Sequence, residues 1–302
     1  MGLARKGARL LLEEARQRPF YGRLLQMGRQ NLYFGQSDMD QLASLHAFKL
    51  HRDVPSQNIH QPLVAPECLD DATFFSQLGF SEVESIDYSS DENATYAHDL
   101  NKPVPDILKQ RYDVIYDGGT MEHIFDVRSV LHNIFDMLRV GGRIIHSHPS
   151  SNHVDHGFYM FSPTFFLDYY ATNEFLIHEL QIITYSKAHD TEPWSIYDYE
   201  PDCLSHLEAG GFGSKMLGIQ VAAEKTPHST WDRIPQQGRY VRSWKDHHHG
   251  ASQPVIARKT KKPPWLPQAT VPPRRNLIDV LLRRPAPTPA PPDPIPNKVA
   301  EY

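Results

Sequence analysis

"YDVIYDGGTMEHIFDVRSVLHNIFDMLRVGGRIIHSHP" runs from Tyr112 to Pro149. Val114, Ile115 and Tyr116 form a short apolar run that ends on Asp117, two glycines and the pair Glu122-His123. From Val127 the apolar positions fall at 127, 130, 131, 134, 135 and 138, the spacing of one face of an amphipathic helix. Gly141 and Gly142 are expected to end that helix, and "GRIIHSHP" reads as the next strand. Strand, helix and strand in this order, with a helix long enough to cross back, predict a parallel pair inside an α/β layer fold.

The rest of the chain extends the pattern in both directions. Residues 3–18 read as a helix stopped by Pro19, and 22–30 as a strand entering a turn at Gly28. "SDMDQLASLHAFKL" reads as a helix capped by Ser37 or Asp38, and 70–80 as a short helix beginning with Asp and ending near Gly79. Strands are expected at 82–90, 93–100, 178–186 and 214–226, a helix at 162–175 with Pro163 in its first turn, and a further helix in "DYEPDCLSHLEAGG". The expected fold is a Rossmann-like, seven-stranded, mostly parallel sheet with helices on both faces. The expected units are an N-terminal helix over 1–20, an α/β domain over 21–257 with an insertion at about 31–66, and a tail over 258–302.

The tail differs in composition. From Pro263 onward 12 of 40 residues are proline, which predicts an extended, disordered segment rather than a packed core. Eight Lys/Arg and one Asp lie between Arg258 and Arg284, a local net of +7 that leaves −12 elsewhere in a chain of net −5. "RRNLIDVLLRR" (274–284) is an apolar island between basic pairs, open to a contact with a protein or an anionic membrane surface. The −12 balance disfavours a nucleic-acid partner. Cys68 and Cys203 lie far apart without metal spacing, which fits a reducing compartment. The charged N-terminus lacks the apolar core of a secretory signal, and no run approaches a membrane span. A cytoplasmic protein is the expectation.

In an open α/β sheet, ligands bind beyond the carboxyl ends of the strands. Those ends carry Gly28 and Arg29, then Asp87, then Asp99 and Leu100, then Asp117, Gly118, Gly119 and Thr120, and finally His146 and His148. Each acid has a task if the ligand is a nucleoside. One at the end of the second strand accepts both ribose hydroxyls, and one after the third accepts from a base amino group. Glycines after the fourth let backbone approach the ligand. Any one of these alone reads as a cap or turn residue; their succession in order points to a nucleoside site.

This succession resembles the class I S-adenosylmethionine-dependent methyltransferases, and in particular bacterial methyltransferase-like proteins with a "DGGTxEH" segment. The resemblance covers about 80 residues, from "FFSQLGFSEVESIDYSS" through "ATYAHDLNKPVPDILKQRYDVIYDGGTMEHIFDV" to "LRVGGRIIHSHP". It implies S-adenosylmethionine as cofactor. Asp87 would then hold the ribose, Asp99 with Leu100 the adenine, and Asp117 to Thr120 the methionine and sulfonium side. One departure stands out. The family's loop after the first strand reads roughly E/D-x-G-x-G-x-G, whereas "LLQMGRQNLYFG" offers Gly28 followed by Arg29.

Methyl transfer needs an aligned nucleophile and often a base for its proton. His146 and His148 at a strand end are the first candidates, with His123, His153 and His156 beside them. "HSHPSSNHVDHG" also has the composition of a metal site, but packing or substrate binding is the favoured reading and no metal is assigned; "DHHHG" at 246–250 reads as a solvated loop. The aromatic run at 153–170 suits an acceptor pocket, as it suits a core. The expected activity is methylation, of a hydroxyl, on a small-molecule or glycan acceptor. The alternative is an interaction or scaffold protein with a decayed methyltransferase fold. A nicotinamide-dependent dehydrogenase is disfavoured, since G-x-G-x-x-G does not follow the first strand.

Overall fold

The structure, a computed structural model, describes residues 2–52, 64–188, 191–207, 209–247 and 298–301. In chain order the elements are β1 (Gly2–Leu3), α1 (Arg5–Gln17), β2 (Arg23–Met27), β3 (Asn31–Leu32), α2 (Gln36–Leu45), α3 (Asp71–Gln77), β4 (Glu82–Asp87) and β5 (Tyr96–Ala97). There follow β6 (Tyr112–Asp117), a 3-10 turn (Met121–His123), α4 (Val127–Met137), β7 (Leu138–Ser151), α5 (Pro163–Thr172) and β8 (Leu176–Tyr185). The last are β9 (Ser195–Asp198), a 3-10 turn (Ser205–Leu207), β10 (Met216–Glu224), α6 (Gly238–His247) and β11 (Lys298–Glu301).

Nine strands form one sheet in the order β11-β9-β8-β10-β7-β6-β2-β4-β5. From β7 to β5 every pair is parallel, while β10 runs antiparallel to both β7 and β8. All seven expected strands are present. The count rises to nine because β9 and β11 extend the β8 edge as antiparallel additions. β9 is four residues long, too short to stand out by alternation, and β11 lies at the end of the proline-rich tail. The remainder of that tail, with 274–284 and the 246–250 histidines' side chains, lies outside the described residues.

Alternation along the strands divides the core. Leu25, Met27, Ile115 and Ile144 point to the face covered by α4 and α5, where they meet Val130, Ile134 and Phe166. Leu24, Val114, Tyr116 and Ile145 point to the opposite face and meet Leu11, Leu12, Phe74 and Phe75 from α1 and α3. A period of two over two apolar faces is what a sheet sandwiched between helices requires. α1 is tied down by more than its leucines. Its buried Glu14 takes an ion pair from Arg18, four residues on, and lies 3.4 Å from Arg143 Nε on β7.

Several local expectations change. α4 ends at Met137, before the glycine pair, and the chain turns straight into β7. Lys225, just past the end of β10, donates to the carbonyls of Phe135 and Leu138 at 2.6 and 2.8 Å, so a buried ammonium caps the helix. Gly141, at φ +82°, serves the bend inside β7 instead. α2 is capped at Gly35, with Asp38 reaching back to accept from the Gly35 N–H at 3.2 Å. Within "DYEPDCLSHLEAGG" only the turn Ser205–Leu207 is helical among the described residues, and the expected strand at 93–100 pairs over Tyr96–Ala97 alone. Pro163 stands at the start of α5 as expected. The insertion at 31–66 holds β3, which pairs with β1, and α2; its 53–63 stretch lies outside the described residues.

Candidate active site

β2 is the first strand of the parallel region. β4 and β5 are laid down on one side of it, β6 and β7 on the other. Chain order therefore reverses at β2, which is where an open α/β sheet takes a ligand, in a crevice beyond the carboxyl ends of β4, β2 and β6. Its floor is knitted by short contacts. The Gly28 N–H donates to the Ile86 carbonyl at 2.8 Å, with Gly28 at φ +69°, and the Thr120 hydroxyl donates to the Met27 carbonyl.

Arg29 does not reach into this crevice. Its guanidinium is 5% exposed and forks onto Asp71, the first residue of α3, at 2.9–3.1 Å, with a further bond to the Glu92 carbonyl. Gln26 donates to the same carboxylate at 2.8 Å. The turn after β2 is thus held by a buried ion pair where a run of glycines was the alternative. The chain then enters β3, and the next helix begins only at Gln36.

Asp87 ends β4 and is partly exposed; its carboxylate accepts from the Tyr88 N–H at 2.6 Å and keeps its other oxygen. Asp99 follows β5 near the surface. It accepts from the Asn101 amide and backbone N–H at 2.8 and 3.0 Å and pairs with Lys102, and these bonds, the Asn101 side chain first, hold its carboxyl below the usual range. The Leu100 side chain is buried in the core, and its carbonyl accepts from Asn133.

The ends of β6 and β7 are different in kind. Asp117, His146 and His148, with Glu122 and Tyr170, are all buried and hydrogen-bonded to one another. The Tyr170 hydroxyl lies 2.6 Å from His146 Nε2, and His146 Nδ1 lies 3.0 Å from Asp117 Oδ2. The same Oδ2 lies 3.0 Å from His148 Nε2, and His148 Nδ1 lies 2.8 Å from Glu122 Oε2. The other Asp117 oxygen accepts from the Thr120 and Met121 N–H groups at 3.0 and 3.3 Å. The His148 ring stacks on Phe166 at 5.6 Å, with Phe161 tilted against it at 5.2 Å.

The charges follow from this wiring. Burial would push Asp117 up, but the imidazoles of His148 and His146 overrule it and hold the carboxyl far below the usual carboxylate range. Burial would push His148 down, yet Asp117 and Glu122, one at each ring nitrogen, hold it up at about 10. His146, with one carboxylate and a tyrosine hydroxyl, is pushed down by burial. With His148 an imidazolium donating to both acids, neutral His146 donates to Asp117 and accepts from Tyr170. The donor nitrogens His146 Nδ1 and His148 Nε2 then converge, 3.0 Å apart, on the one Asp117 oxygen.

Two sequence expectations change here. His146 and His148, the first candidates for the base, are not open to an acceptor: they are 0% and 3% exposed, with their ring nitrogens engaged. Asp117 does not line the ligand space, because the same imidazoles claim its carboxylate; it shapes the Gly118-Gly119-Thr120 turn from beneath. Alternation hides this, since a histidine at an inward position of a strand reads like one at its end. Of the proposed bases His123 is exposed, and its ring lies 5.1 Å from that of His156, also exposed. Sequence reasoning missed Tyr170 and Asp71 as partners, and neither position carries a local signal. It also missed a cavity of about 460 Å³ past the end of β7, whose lining includes Ser150, Asn152, Ser162, Thr164, Asp168 and Arg242.

No family model matches the chain, and no curated protein matches it. Among solved structures it is similar to an O-methyltransferase from a trans-AT polyketide synthase multienzyme of Brevibacillus brevis, in complex with S-adenosyl-L-homocysteine. That likeness has 15% identity, covers 75% of this chain and 73% of that one, and has a TM-score of 0.39. It is similar to 1,6-didemethyltoxoflavin-N1-methyltransferase of Burkholderia thailandensis at 14% identity, over 74% and 78% of the two chains, with a TM-score of 0.31. It is similar to the YcgJ protein of Bacillus subtilis at 11% identity, over 72% and 97%, with a TM-score of 0.39. The fold itself is defined by the strand order β11-β9-β8-β10-β7-β6-β2-β4-β5.

Proposed function

We propose that this chain binds S-adenosylmethionine in the crevice at β2 and β4 and transfers its methyl group to a hydroxyl of a small-molecule or glycan acceptor. The observation that carries the reading is the placement of Gly28, Asp87 and Asp99 on three consecutive carboxyl ends at the point where strand order reverses. Asp87, partly exposed at the end of β4, takes the ribose hydroxyls. Asp99 and the Leu100 backbone take the adenine. The Gly118–Thr120 turn takes the methionine side through backbone, with Asp117 as its anchor. The resemblance of the "DGGTMEH" stretch to the methyltransferases supports the same assignment.

A dinucleotide is a poorer fit. It would want its pyrophosphate on a helix N-terminus directly after the first parallel strand, and β2 leads through Gly28 into β3 instead. The cavity past β7 mixes polar residues such as Ser162, Thr164 and Asp168 with apolar ones such as Met160, Leu167 and Phe212, a lining that suits an acceptor with both hydroxyls and an apolar face. Of the histidines proposed as bases, the exposed His123 and His156 are open to a bound acceptor, whereas His146 and His148 are buried.

One observation favours a second reading, a catalytically decayed methyltransferase fold that serves as an interaction protein. The Arg29–Asp71 pair occupies the turn where the family has glycines. Isothermal titration with S-adenosylmethionine and S-adenosylhomocysteine separates the two. Micromolar binding that is lost in Asp87→Ala is the expected result. No binding at millimolar ligand to a chain shown folded by circular dichroism would leave the second reading.

A further inference from the structure

Glu122 is fully buried, yet only half of its carboxylate is accounted for. Oε2 accepts from His148, whereas Oε1 has no hydrogen-bond partner among the described residues. A buried carboxylate oxygen left in that state is costly, and native structures rarely tolerate it without a reason. Oε1 lies 3.6 Å from Nε2 of His156, whose own side chain is half exposed. His123, next in the chain, turns its ring toward His156. One ligand atom from each of Glu122, His123 and His156 lies within 4.8 Å of the other two.

We propose that Glu122, His123 and His156 hold a divalent transition-metal cation of the zinc type at the outer end of the buried network. Metal–ligand bonds of about 2.0–2.2 Å place tetrahedral ligand atoms roughly 3.3 Å apart. Closure therefore asks for movements of little more than an ångström, which two exposed imidazoles supply by side-chain rotation. Two imidazoles and one carboxylate select borderline cations over magnesium or calcium, which want oxygen. The segments that carry the ligands are already clamped together. The Tyr159 N–H donates to the Glu122 carbonyl at 3.2 Å. A Cβ at Gly157 would sit 2.9 Å from that carbonyl oxygen and 3.1 Å from His123 Nδ1, so glycine is what lets the loop approach. The His148 bond to Oε2 orients the carboxylate, as outer partners of metal ligands do.

The neighbouring trio Asp117, His146 and His148 has similar spacing but no such opening, because its members are buried and bonded to one another. Three protein ligands leave a coordination position for water or an acceptor oxygen. A cation there would ease the loss of a proton from a coordinated hydroxyl and so relieve His123 of that task. The binding itself does not rest on the cofactor reading.

The test is a zinc titration of the full chain after chelation, by calorimetry, with cobalt(II) absorption as a second readout of coordination. The expected result is one zinc per chain at micromolar affinity or better, weakened at least tenfold in both His123→Ala and His156→Ala. Glu122→Gln should behave likewise, but the exposed histidines carry the test because their removal leaves the core intact. Absence of stoichiometric binding would overturn the proposal. So would binding unchanged in either histidine variant, which would place the ion on other histidines, or displacement of zinc by millimolar magnesium.

Discussion

The two sides of the crevice solve opposite problems with the same residue types. On the β4–β5 side, Asp87 and Asp99 stay near the surface, lightly bonded by their own turns. On the β6–β7 side, Asp117 and Glu122 are withdrawn from solvent with two histidines and a tyrosine. An acid that binds a ligand must stay within its reach, as Asp87 and Asp99 do near the surface. An acid that builds a scaffold must be paired, as Asp117 is at both oxygens and Glu122 at Oε2, since stripping a buried charge of its partner is strongly destabilising. Position at a strand end is thus common to both, and burial is what separates a ligand contact from a frame.

The strongest way to break this contrast is Asp117→Asn. It leaves His148 and Glu122 as a reduced pair and His146 without its acceptor of full charge, and a loss of about 3–5 kcal/mol is expected in urea unfolding. A loss below about 1 kcal/mol would mean that the network is not the frame. Arg29→Ala tests the turn after β2. It strips Asp71 of its guanidinium but leaves the Gln26 amide, so about 3 kcal/mol is expected by the same measurement. Tyr170→Phe removes one hydroxyl and leaves His146 Nε2 buried without a donor, for about 1–2 kcal/mol. Asp87→Ala lies on the open side and should move stability by no more than about 0.5 kcal/mol. Stability effects of equal size at Asp87 and Asp117 would erase the distinction.

The network also predicts a pH dependence with a definite sign. His148 binds its proton up to about 10 in the folded chain, against about 6.5 when unfolded. Its contribution is complete below about pH 6.5 and is lost as pH rises through 10. Asp117 is depressed in the folded state, so its contribution is present above about pH 4 and is lost as pH falls below that. Both describe one coupled arrangement, and Tm should be highest between these limits. In Asp117→Asn the alkaline decline should shrink, which a set of melts from pH 6 to pH 10.5 would show.

How much of this was legible beforehand follows the same division. The strands and helices with a repeating apolar pattern were readable, because periodicity is a local property of the chain. β9 and β11 were not, being short edge additions whose partners lie far away in sequence. Asp87 and Asp99 were placed at strand ends by position alone. The burial of His146 and His148 was not readable, because it depends on Phe166 and Tyr170 closing over them from α5. The Arg29–Asp71 pair spans 42 residues and leaves no mark in either segment.

Hydrogen exchange of the full chain with and without S-adenosylhomocysteine tests the central claim most directly, since it reports where a ligand sits. The account predicts slowed exchange at Gly28–Gln30, at Tyr88 and at Leu100–Asn101, with little change in β8 and β9. Slowing confined to other segments, or none at saturating ligand, would contradict the assignment of the open side of the crevice as the cofactor site.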